Sequence, residues 1–382
     1  MESLKKGDKV EVQIEKLIYG GAGLARLNGQ VLFVDFSAPG DRLEVLVIEA
    51  KKNFVRAKIL KILEPSLYRK VAKCEVFGRC GGCQWQHIDY HYQIESKQNI
   101  LKEVIRRFFP NEDIQIGDFK ASTQGYNYRN RIQIRVEHGK VGFYGKGSHE
   151  LIPIQDCPIA EVKLNQEISH LNTSNPKDGK YRIQIGINGA TTLTDLNENE
   201  EPLGFSQINT LQNINLQTEI QNCYSDYQGA PIIDLYGGYG NFALPLAKMF
   251  PQVPIESIEW NRAASEEGIE LAQKQGSKTL RFINSDVESF LQRVDLPLDS
   301  FIILDPPRAG CSSKVIQELA LKSPKILVYI SCDPMTWGRD GQLFLKESQL
   351  NGQNYCIATI HGLDMFPQTD HIEIFSVFKR IN

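Results

Sequence analysis

Apolar and polar residues alternate along the first sixty residues, as in Val10-Glu11-Val12-Gln13-Ile14 and Leu43-Glu44-Val45-Leu46-Val47. Turn-forming residues interrupt the alternation, among them Asn28-Gly29 and Pro39-Gly40-Asp41. A two-residue period broken by such turns is typical of short antiparallel strands joined by hairpins. The pattern therefore predicts a small OB-like β-barrel over residues 1–63, a kind of barrel that often binds oligonucleotides.

The pattern changes twice in the middle of the chain. Apolar residues near helical spacing predict a helix over residues 89–109 that ends at Pro110 and could pack on the C-terminal domain. Strand-like alternation then returns, and it predicts a second, mostly β domain over residues 64–203. Residues 172–179 are predicted to form a loop.

Beyond residue 203, short apolar strands alternate with helical stretches. This rhythm predicts a doubly wound, Rossmann-like α/β domain with a mainly parallel sheet over residues 204–382. Ligands of such sheets bind at the carboxyl ends of the strands. The residues expected at those ends are Tyr236, Glu259, Asp305 and Cys332.

Composition narrows the class of protein. The chain has 382 residues, 41% of them hydrophobic and 23% charged, which is typical of a soluble globular protein of two or three domains. No apolar run approaches the ~18 residues of a membrane-spanning helix. No apolar signal region follows Met1, so we expect a cytoplasmic protein. We also expect a monomer.

Charge is unevenly distributed along the chain. Residues 1–135 carry 23 Lys and Arg against 16 Asp and Glu, whereas residues 136–382 carry 20 against 30. The difference indicates that the N-terminal half contacts a polyanion, unless two soluble domains merely differ in isoelectric point. Five cations fall on the last predicted strands of the barrel: Lys51, Lys52, Arg56, Lys58 and Lys61.

A glycine-rich turn, Asp234-Leu235-Tyr236-Gly237-Gly238-Tyr239-Gly240-Asn241, joins a strand to a helix. Its glycines let the backbone approach a ligand closely. Glu259 ends the next strand, where a carboxylate can accept both hydroxyls of a ribose. Nicotinamide enzymes and S-adenosylmethionine enzymes both use this pairing, but the glycine spacing does not fit the dinucleotide fingerprint.

Cys332, in Ser331-Cys332-Asp333-Pro334, is a candidate nucleophile. C5 of uracil is too weak a nucleophile to accept a methyl group directly, but a thiolate that adds at C6 creates an enolate that can. A base must then remove the C5 proton; Glu373 is the first candidate and His371 the second. Asp305 could orient the ring. A lone cysteine is more often a buried small residue, but the polar neighbours of Cys332 favour the nucleophile.

These motifs, together with Asp305-Pro306-Pro307-Arg308, Asp364-Met365-Phe366-Pro367 and Phe205-Ser206-Gln207, resemble the bacterial 5-methyluridine RNA methyltransferases over nearly the whole chain. The resemblance implies an N-terminal TRAM domain, an S-adenosylmethionine-dependent catalytic domain, Cys332 as nucleophile and Glu373 as base. Contacts with the cofactor and the target base are implied for Gln207, Tyr236, Asn241, Glu259 and Asp305, and either Asn284 or Asp286 is implied near the adenine. Gly237 departs from the family, which commonly has cysteine there.

Four cysteines of the first half, Cys74, Cys80, Cys83 and Cys157, could bind zinc or an iron–sulfur cluster. Zinc sites usually contain two C-x2-C pairs and only one occurs here, which favours a cluster. The segment Cys80-Gly81-Gly82-Cys83-Gln84-Trp85-Gln86-His87 resembles the one that carries a 4Fe-4S cluster in the ribosomal-RNA members of the family. The resemblance therefore implies a 4Fe-4S cluster that attaches the Cys157 loop to the Cys74–Cys83 loop, with zinc as the alternative.

The expected partner is RNA. A TRAM-like barrel combined with four cluster cysteines implies 23S ribosomal RNA, with transfer RNA as the alternative. The segment Tyr126-Asn127-Tyr128-Arg129-Asn130-Arg131 interleaves aromatic and cationic residues that could stack on bases, although an ordinary strand with a charged face explains it equally well. Two other functional hypotheses explain fewer residues. An exocyclic amino methyltransferase would have no role for Cys332 and Glu373, and a noncatalytic RNA-binding zinc protein would have no role for any of the candidate catalytic residues.

Overall fold

The protein divides into two compact units whose segments alternate along the sequence. The computed structural model describes residues 3–381, apart from 175, 187, 197–206 and 228. In the part of the chain described, no helix is both long and apolar enough to cross a membrane. The first unit comprises Met1–Ile100, Ser122–Glu200 and Phe366–His371, and the second comprises Leu101–Ala121, Glu201–Met365 and Ile372–Asn382.

The first unit begins with a six-stranded sheet around one apolar core, which confirms the predicted barrel. Its strands are β1 (Lys9–Gln13), β2 (Lys16–Leu17), β3 (Gly23–Leu27), β4 (Gln30–Val34), β5 (Arg42–Ala50) and β6 (Val55–Glu64), in the order β1-β5-β6-β4-β3-β2. The predicted Asn28-Gly29 turn forms a two-residue hairpin, because Leu27 pairs with Gln30 and both turn residues have positive φ (54° and 80°).

A helix, α1 (Tyr90–Phe108), follows within one residue of the predicted bounds, and from Leu101 onward it belongs to the second unit. The second sheet is antiparallel, in the order β11-β10-β7-β8-β9. Its strands are β7 (Arg131–Glu137), β8 (Lys140–Tyr144), β9 (Leu151–Pro153), β10 (Gly179–Ile185) and β11 (Thr191–Asp195).

The sequence prediction missed one helix of this region, α2 (Val162–Ser174), which packs on one face of the second sheet. Its buried residues Leu164, Ile168 and Leu171 are spaced as on one helical face, a signal that many polar neighbours obscure. The predicted loop at 172–179 is wrong for its first three residues, which end α2, and for Gly179, which begins β10.

The second unit contains a seven-stranded sheet in the order β14-β13-β12-β15-β16-β18-β17. Strands β12 to β16 run parallel and β18 is antiparallel to β16, which confirms the doubly wound domain. The strands are β12 (Ile232–Leu235), β13 (Ile255–Glu259), β14 (Leu280–Asn284), β15 (Phe301–Leu304), β16 (Ile326–Ser331), β17 (Asn354–Leu363) and β18 (Glu373–Ile381). The helices are α3 (Thr210–Ser225), α4 (Ala243–Met249), α5 (Arg262–Gln275), α6 (Val287–Arg293), α7 (Ser313–Lys322) and α8 (Pro334–Leu350).

Candidate active site

The carboxyl edge of the parallel strands collects the predicted site residues. Tyr236, Asp305 and Cys332 each directly follow a strand, and Glu259 is the last residue of β13. Because these four strands are parallel neighbours, the four residues lie at one edge of the sheet, as the strand pattern predicts.

The glycine-rich turn after β12 has an unusual backbone. Tyr236 has a φ of 63°, a left-handed conformation that costs a non-glycine residue roughly 1–2 kcal/mol. Burial and the neighbouring Cys311 raise the pKa of its hydroxyl. Strained backbone of this kind is concentrated at functional sites.

Glu259 supports the same turn from β13. Its two carboxylate oxygens accept from the N–H of Gly238 at 3.0 Å and the N–H of Asn261 at 2.7 Å. Each oxygen keeps a second lone pair, so the carboxylate can still accept hydroxyl groups of a ribose.

A cavity of about 220 Å³ opens beside this turn. Trp260, which is 67% exposed, is at its wall and offers an aromatic surface. Polar groups at the wall are the Tyr236, Asp286 and Glu288 side chains. An aromatic wall with a few polar groups suits a nucleoside. The lining residues are Tyr236, Ile258, Trp260, Asp286, Val287, Glu288, Ser312 and Val315.

The two candidates for the adenine differ in position. Asp286 lines the cavity, where it also caps α6 by accepting from Ser289 N–H at 2.8 Å. The amide of Asn284 instead donates to the carbonyls of Glu259 and Trp260, both at 2.9 Å. The geometry therefore favours Asp286 as the group available to a ligand.

Two other residues that were predicted to contact the cofactor or the target base form hydrogen bonds with neighbouring side chains. Gln207 is buried and donates to Asp305 Oδ2 at 3.1 Å. Asn241 exchanges two hydrogen bonds with Asn213 of α3, at 2.8 and 3.0 Å. A contact between Asn241 and a cofactor stays a prediction. Phe205 and Ser206, predicted with Gln207 as one motif, lie outside the described residues.

The β16–β18 register brings the nucleophile and the base together. Ser331 pairs with Ile374 in this antiparallel pair, so the next position places Cys332 opposite Glu373. Glu373 is 1% exposed, and Cys332 is partly buried. The rival base His371 belongs to the other compact unit, where its ring packs edge-on against Phe366.

Burial and the closeness of like charges control the protonation of Cys332, Glu373 and Asp305. Burial, then Glu373 and Asp305, raise the pKa of the Cys332 thiol to about 12. Burial and the neighbouring Asp305 hold the pKa of Glu373 well above its usual range, and burial raises that of Asp305 to about 7. Arg308 lowers the pKa of both Cys332 and Glu373. The thiol of the free protein is therefore protonated at neutral pH.

Helix α8 fixes the loop that carries Arg308. Asp340 accepts from the backbone N–H of Cys311 and from the hydroxyl of Tyr329, both at 2.8 Å. Arg339 donates to the carbonyl of Ala309 at 2.9 Å. Sequence reasoning missed Asp340 and a role for Arg308; the only signal was that Arg308 ends the Asp-Pro-Pro-Arg corner.

Gly237 is crowded by the strands beneath it. A Cβ at this position would fall 2.1 Å from Ser257 Oγ and 3.0 Å from Asp234 Oδ2. Ser257 and Asp234 are paired residues of β13 and β12, so this chain has no room for a side chain at position 237. Burial raises the pKa of Asp234 to about 8.

In the first unit, Cys74, Cys80, Cys83 and Cys157 act on one another electrostatically, and we call them the four-cysteine group. The N–H of Gly82 donates to Cys80 Sγ at 3.4 Å. Burial raises the pKa of Cys74, Cys80 and Cys157, and neighbouring backbone N–H groups oppose part of that rise. Within the described residues, no three His, Cys, Asp or Glu side chains converge as a single metal ion would require. The predicted metal site is therefore not confirmed.

The predicted aromatic and cationic segment is mostly occupied by internal contacts. Tyr128 is buried and donates to the carbonyl of Pro367 at 3.0 Å. Lys73 lies over the ring of Tyr126, 4.3 Å from its centroid. Arg129 donates to the carbonyl of Arg131 at 2.9 Å. Tyr128 therefore has a structural role instead of stacking on RNA bases.

Two protein-family models match this chain, one at each end. The tRNA (uracil-5-)-methyltransferase family model matches residues 184–381, and the TRAM domain model matches residues 3–60. An uncharacterized RNA methyltransferase of Bdellovibrio bacteriovorus is 34% identical over 380 residues, 98% of this chain and 95% of that protein. The 23S rRNA (uracil(1939)-C(5))-methyltransferase RlmD of Vibrio campbellii is 27% identical over 97% of this chain and 95% of its own.

A solved structure shares the fold over the same extent. The tRNA (uracil-54, C5)-methyltransferase of Pyrococcus abyssi, in complex with S-adenosyl-L-homocysteine, aligns with a TM-score of 0.72 and 22% identity. The alignment covers 97% of this chain and all of that one. The similarity therefore extends across both compact units.

Proposed function

Since the chain belongs to the tRNA (uracil-5-)-methyltransferase family, we propose that it transfers the methyl group of S-adenosylmethionine to C5 of a uridine in 23S ribosomal RNA. The observation that carries the proposal is the position of Cys332 opposite Glu373, with Asp305 and Arg308 acting on both. A thiol, a base and an orienting carboxylate are the groups that C5 methylation of uracil requires.

In the proposed reaction, the Cys332 sulfur forms a bond to C6 of the uracil, and the C5–C6 double bond becomes an enolate across C4 and C5. S-adenosylmethionine, when bound, supplies the methyl group as an electrophile on a sulfonium. C5 would form the new carbon–carbon bond as the bond between the methyl group and the sulfonium sulfur breaks, and neutral S-adenosylhomocysteine would be the leaving group. Glu373 then removes the C5 proton, and the C6–sulfur bond breaks to restore the double bond and release the thiolate.

The buried carboxylates affect when Cys332 and Glu373 become ionised during this reaction. A thiol with a pKa of about 12 does not attack in the free protein. The pKa values of Cys332 and Glu373 should fall when a cation binds beside them, because opposite charge stabilises the ionised forms. Arg308 already acts in this direction on both groups. We therefore infer that cofactor binding prepares the nucleophile and the base together.

The cavity beside the glycine-rich turn supports the proposed cofactor. Glu259 would accept the ribose hydroxyls, and Trp260 and Asp286 would contact the adenine. Asp305, held by Gln207, would lie between this site and the uracil ring. Ligand binding at the carboxyl edge of the sheet agrees with the general behaviour of doubly wound folds.

The four-cysteine group supports a 4Fe-4S cluster. Backbone N–H groups that oppose the rise in pKa stabilise negative charge on thiolate ligands, as hydrogen bonds do around iron–sulfur clusters. Zinc sites usually contain two C-x2-C pairs, and among these four cysteines only Cys80 and Cys83 form one, which favours the cluster over a single zinc ion. The cluster would cross-link the Cys157 loop to the Cys74–Cys83 segment.

The RNA class is tested by incubating the purified protein and S-adenosylmethionine separately with 23S ribosomal RNA and with transfer RNA that lack 5-methyluridine. Nucleoside mass spectrometry then measures 5-methyluridine in each. We expect it in 23S ribosomal RNA. Product only in transfer RNA would contradict the proposed substrate and retain the chemistry, whereas a methylated exocyclic amine in either RNA would contradict the chemistry.

A further inference from the structure

One face of the second sheet is covered by α2, and the opposite face is polar. Core residues such as Ile132 and Ile183 alternate with residues that point to the opposite face. On that face Arg182 pairs across the strands with Gln133, and Gln184 pairs with Arg131. We call six residues of this face the outer sheet face: Arg131, Gln133, Arg135, Tyr144, Arg182 and Gln184.

Arg182 lacks an acidic partner. It is 8% exposed, and within the described residues its Nε has no hydrogen-bond acceptor and no carboxylate lies within 4 Å of its guanidinium. Burial lowers its pKa, the cost of holding a cation away from water. Arginines this buried are almost always paired, because an unpaired buried charge is strongly unfavourable.

The neighbours of Arg182 add positive charge and an aromatic ring. Arg135 lies over the ring of Tyr144, 5.1 Å from its centroid. The Tyr144 hydroxyl donates to Glu137 at 3.0 Å, and Glu137 is the one acid that points this way from the described residues of the five strands. The face therefore places Arg135 and side-chain amides near Arg182, and Glu137 is the one acid that the described strands direct to it.

We propose that the outer sheet face binds the sugar–phosphate backbone of the RNA substrate, with a phosphate as the missing partner of Arg182. Guanidinium groups bind phosphate with two parallel hydrogen bonds, and amides such as Gln133 donate to phosphate and sugar oxygens. Phosphate contacts fix the position of an RNA without reading its sequence. This inference rests on the proposed RNA methyltransferase function.

The test compares Arg182→Gln with Lys163→Gln. Lys163 is exposed on α2, which covers the other face, so both variants lose one positive charge from the same domain. For Arg182→Gln we expect the KM for RNA to rise on the order of tenfold, with kcat at saturating RNA unchanged, and the salt slope of binding to fall by about 1. Lys163→Gln should behave like the wild type.

A stability measurement separates loss of an RNA contact from damage to the fold. Because Arg182 is a buried unpaired cation, Arg182→Gln should keep or raise the Tm of the free protein. Arg182→Lys, which retains the charge, should bind RNA more tightly than Arg182→Gln.

Three results overturn the inference: unchanged RNA binding and salt slope in Arg182→Gln, an equal loss in Lys163→Gln, or a loss that follows a lower Tm. If the wild type methylates no RNA, the proposed function fails instead, and RNA binding measured without turnover still decides the role of Arg182.

Discussion

Cys332 and the four-cysteine group carry the same chemical group in different surroundings. Around Cys332, burial and the carboxylates of Glu373 and Asp305 raise the pKa of the thiol, and Arg308 opposes them. At Cys74, Cys80 and Cys157, burial raises the pKa and backbone N–H groups oppose part of that rise. In both settings burial raises the pKa of the thiol; around Cys332 the carboxylates raise it further, whereas N–H groups oppose part of the rise at Cys74, Cys80 and Cys157.

The difference agrees with the two uses proposed for these cysteines. A ligand to a metal or cluster must stay ionised, so fixed hydrogen-bond donors stabilise it. A nucleophile that forms and breaks a bond in each cycle benefits from being held neutral until its substrate arrives. Burial alone does not distinguish the two, since burial raises the pKa of Cys83 and Cys332 alike to about 12.

The largest effect is expected at the base. Glu373→Gln keeps the shape of the side chain but cannot remove the C5 proton, so turnover should fall by roughly 10²–10⁴. Because Cys332 still adds to the ring, a covalent complex with natural RNA should accumulate, visible as a shifted band in a denaturing gel. His371→Gln is the matched control and should keep turnover. Loss of turnover in His371→Gln, with Glu373→Gln active, would reverse the assignment of the base.

A second experiment removes a ligand from the four-cysteine group. Cys83→Ser should lose iron and visible absorbance after anaerobic purification and melt at lower temperature, because a cluster contributes to folding when it binds. Cys356→Ser, a partly buried cysteine outside both sites, should leave iron content and Tm unchanged. A colourless wild type containing one zinc ion would contradict the cluster.

Weakening the hydrogen bonds that hold the loop carrying Arg308 should have a moderate effect on stability and kcat. Asp340→Asn disturbs the acceptor of the Cys311 N–H and the Tyr329 hydroxyl, which should cost roughly 1–3 kcal/mol of unfolding free energy and reduce kcat. Tyr329→Phe removes one of these hydrogen bonds and should cost about 1 kcal/mol with a smaller loss of kcat. Denaturant unfolding and steady-state kinetics measure both. Equal kcat values for Asp340→Asn and wild type would show that the loop does not depend on Asp340.

The smallest effect concerns the pH dependence of Cys332 in the free protein. Since its pKa is about 12, the thiolate fraction should rise tenfold per pH unit, and alkylation by iodoacetamide should still be increasing above pH ~8.5, where an ordinary thiol levels off. S-adenosylmethionine should shift this profile to lower pH, whereas S-adenosylhomocysteine, which lacks the sulfonium charge, should not. Peptide mass spectrometry identifies the alkylated residue. A plateau near pH ~8.5 in the free protein would show that the carboxylates do not control the thiol.

Much of this site could be predicted because it follows from strand order. Tyr236, Glu259, Asp305 and Cys332 stand at the ends of apolar strands, and parallel topology alone brings such residues to one edge. The position of Glu373 depends on the antiparallel register of β16 and β18, which no local pattern encodes. Glu373 was proposed because the chemistry requires a base, with His371 as a rival, and the family resemblance then favoured Glu373.

The parts that escaped prediction depend on contacts distant in sequence. Asp340 acts on a loop 29 residues earlier in the chain, and its position on α8 carries no motif of its own. Arg182 looked like an ordinary strand residue, because the absence of a partner becomes visible only in three dimensions. Helix α2 was missed because its apolar residues are few.

The most direct test of the account is the covalent bond to Cys332. RNA substrate containing 5-fluorouridine is incubated with the protein and S-adenosylmethionine, digested, and examined by peptide mass spectrometry. Fluorine at C5 cannot leave as a proton, so we expect a methylated nucleotide trapped on Cys332 and no adduct with Cys332→Ala. Methylation of natural RNA by Cys332→Ala, or an adduct on a different cysteine, would contradict it.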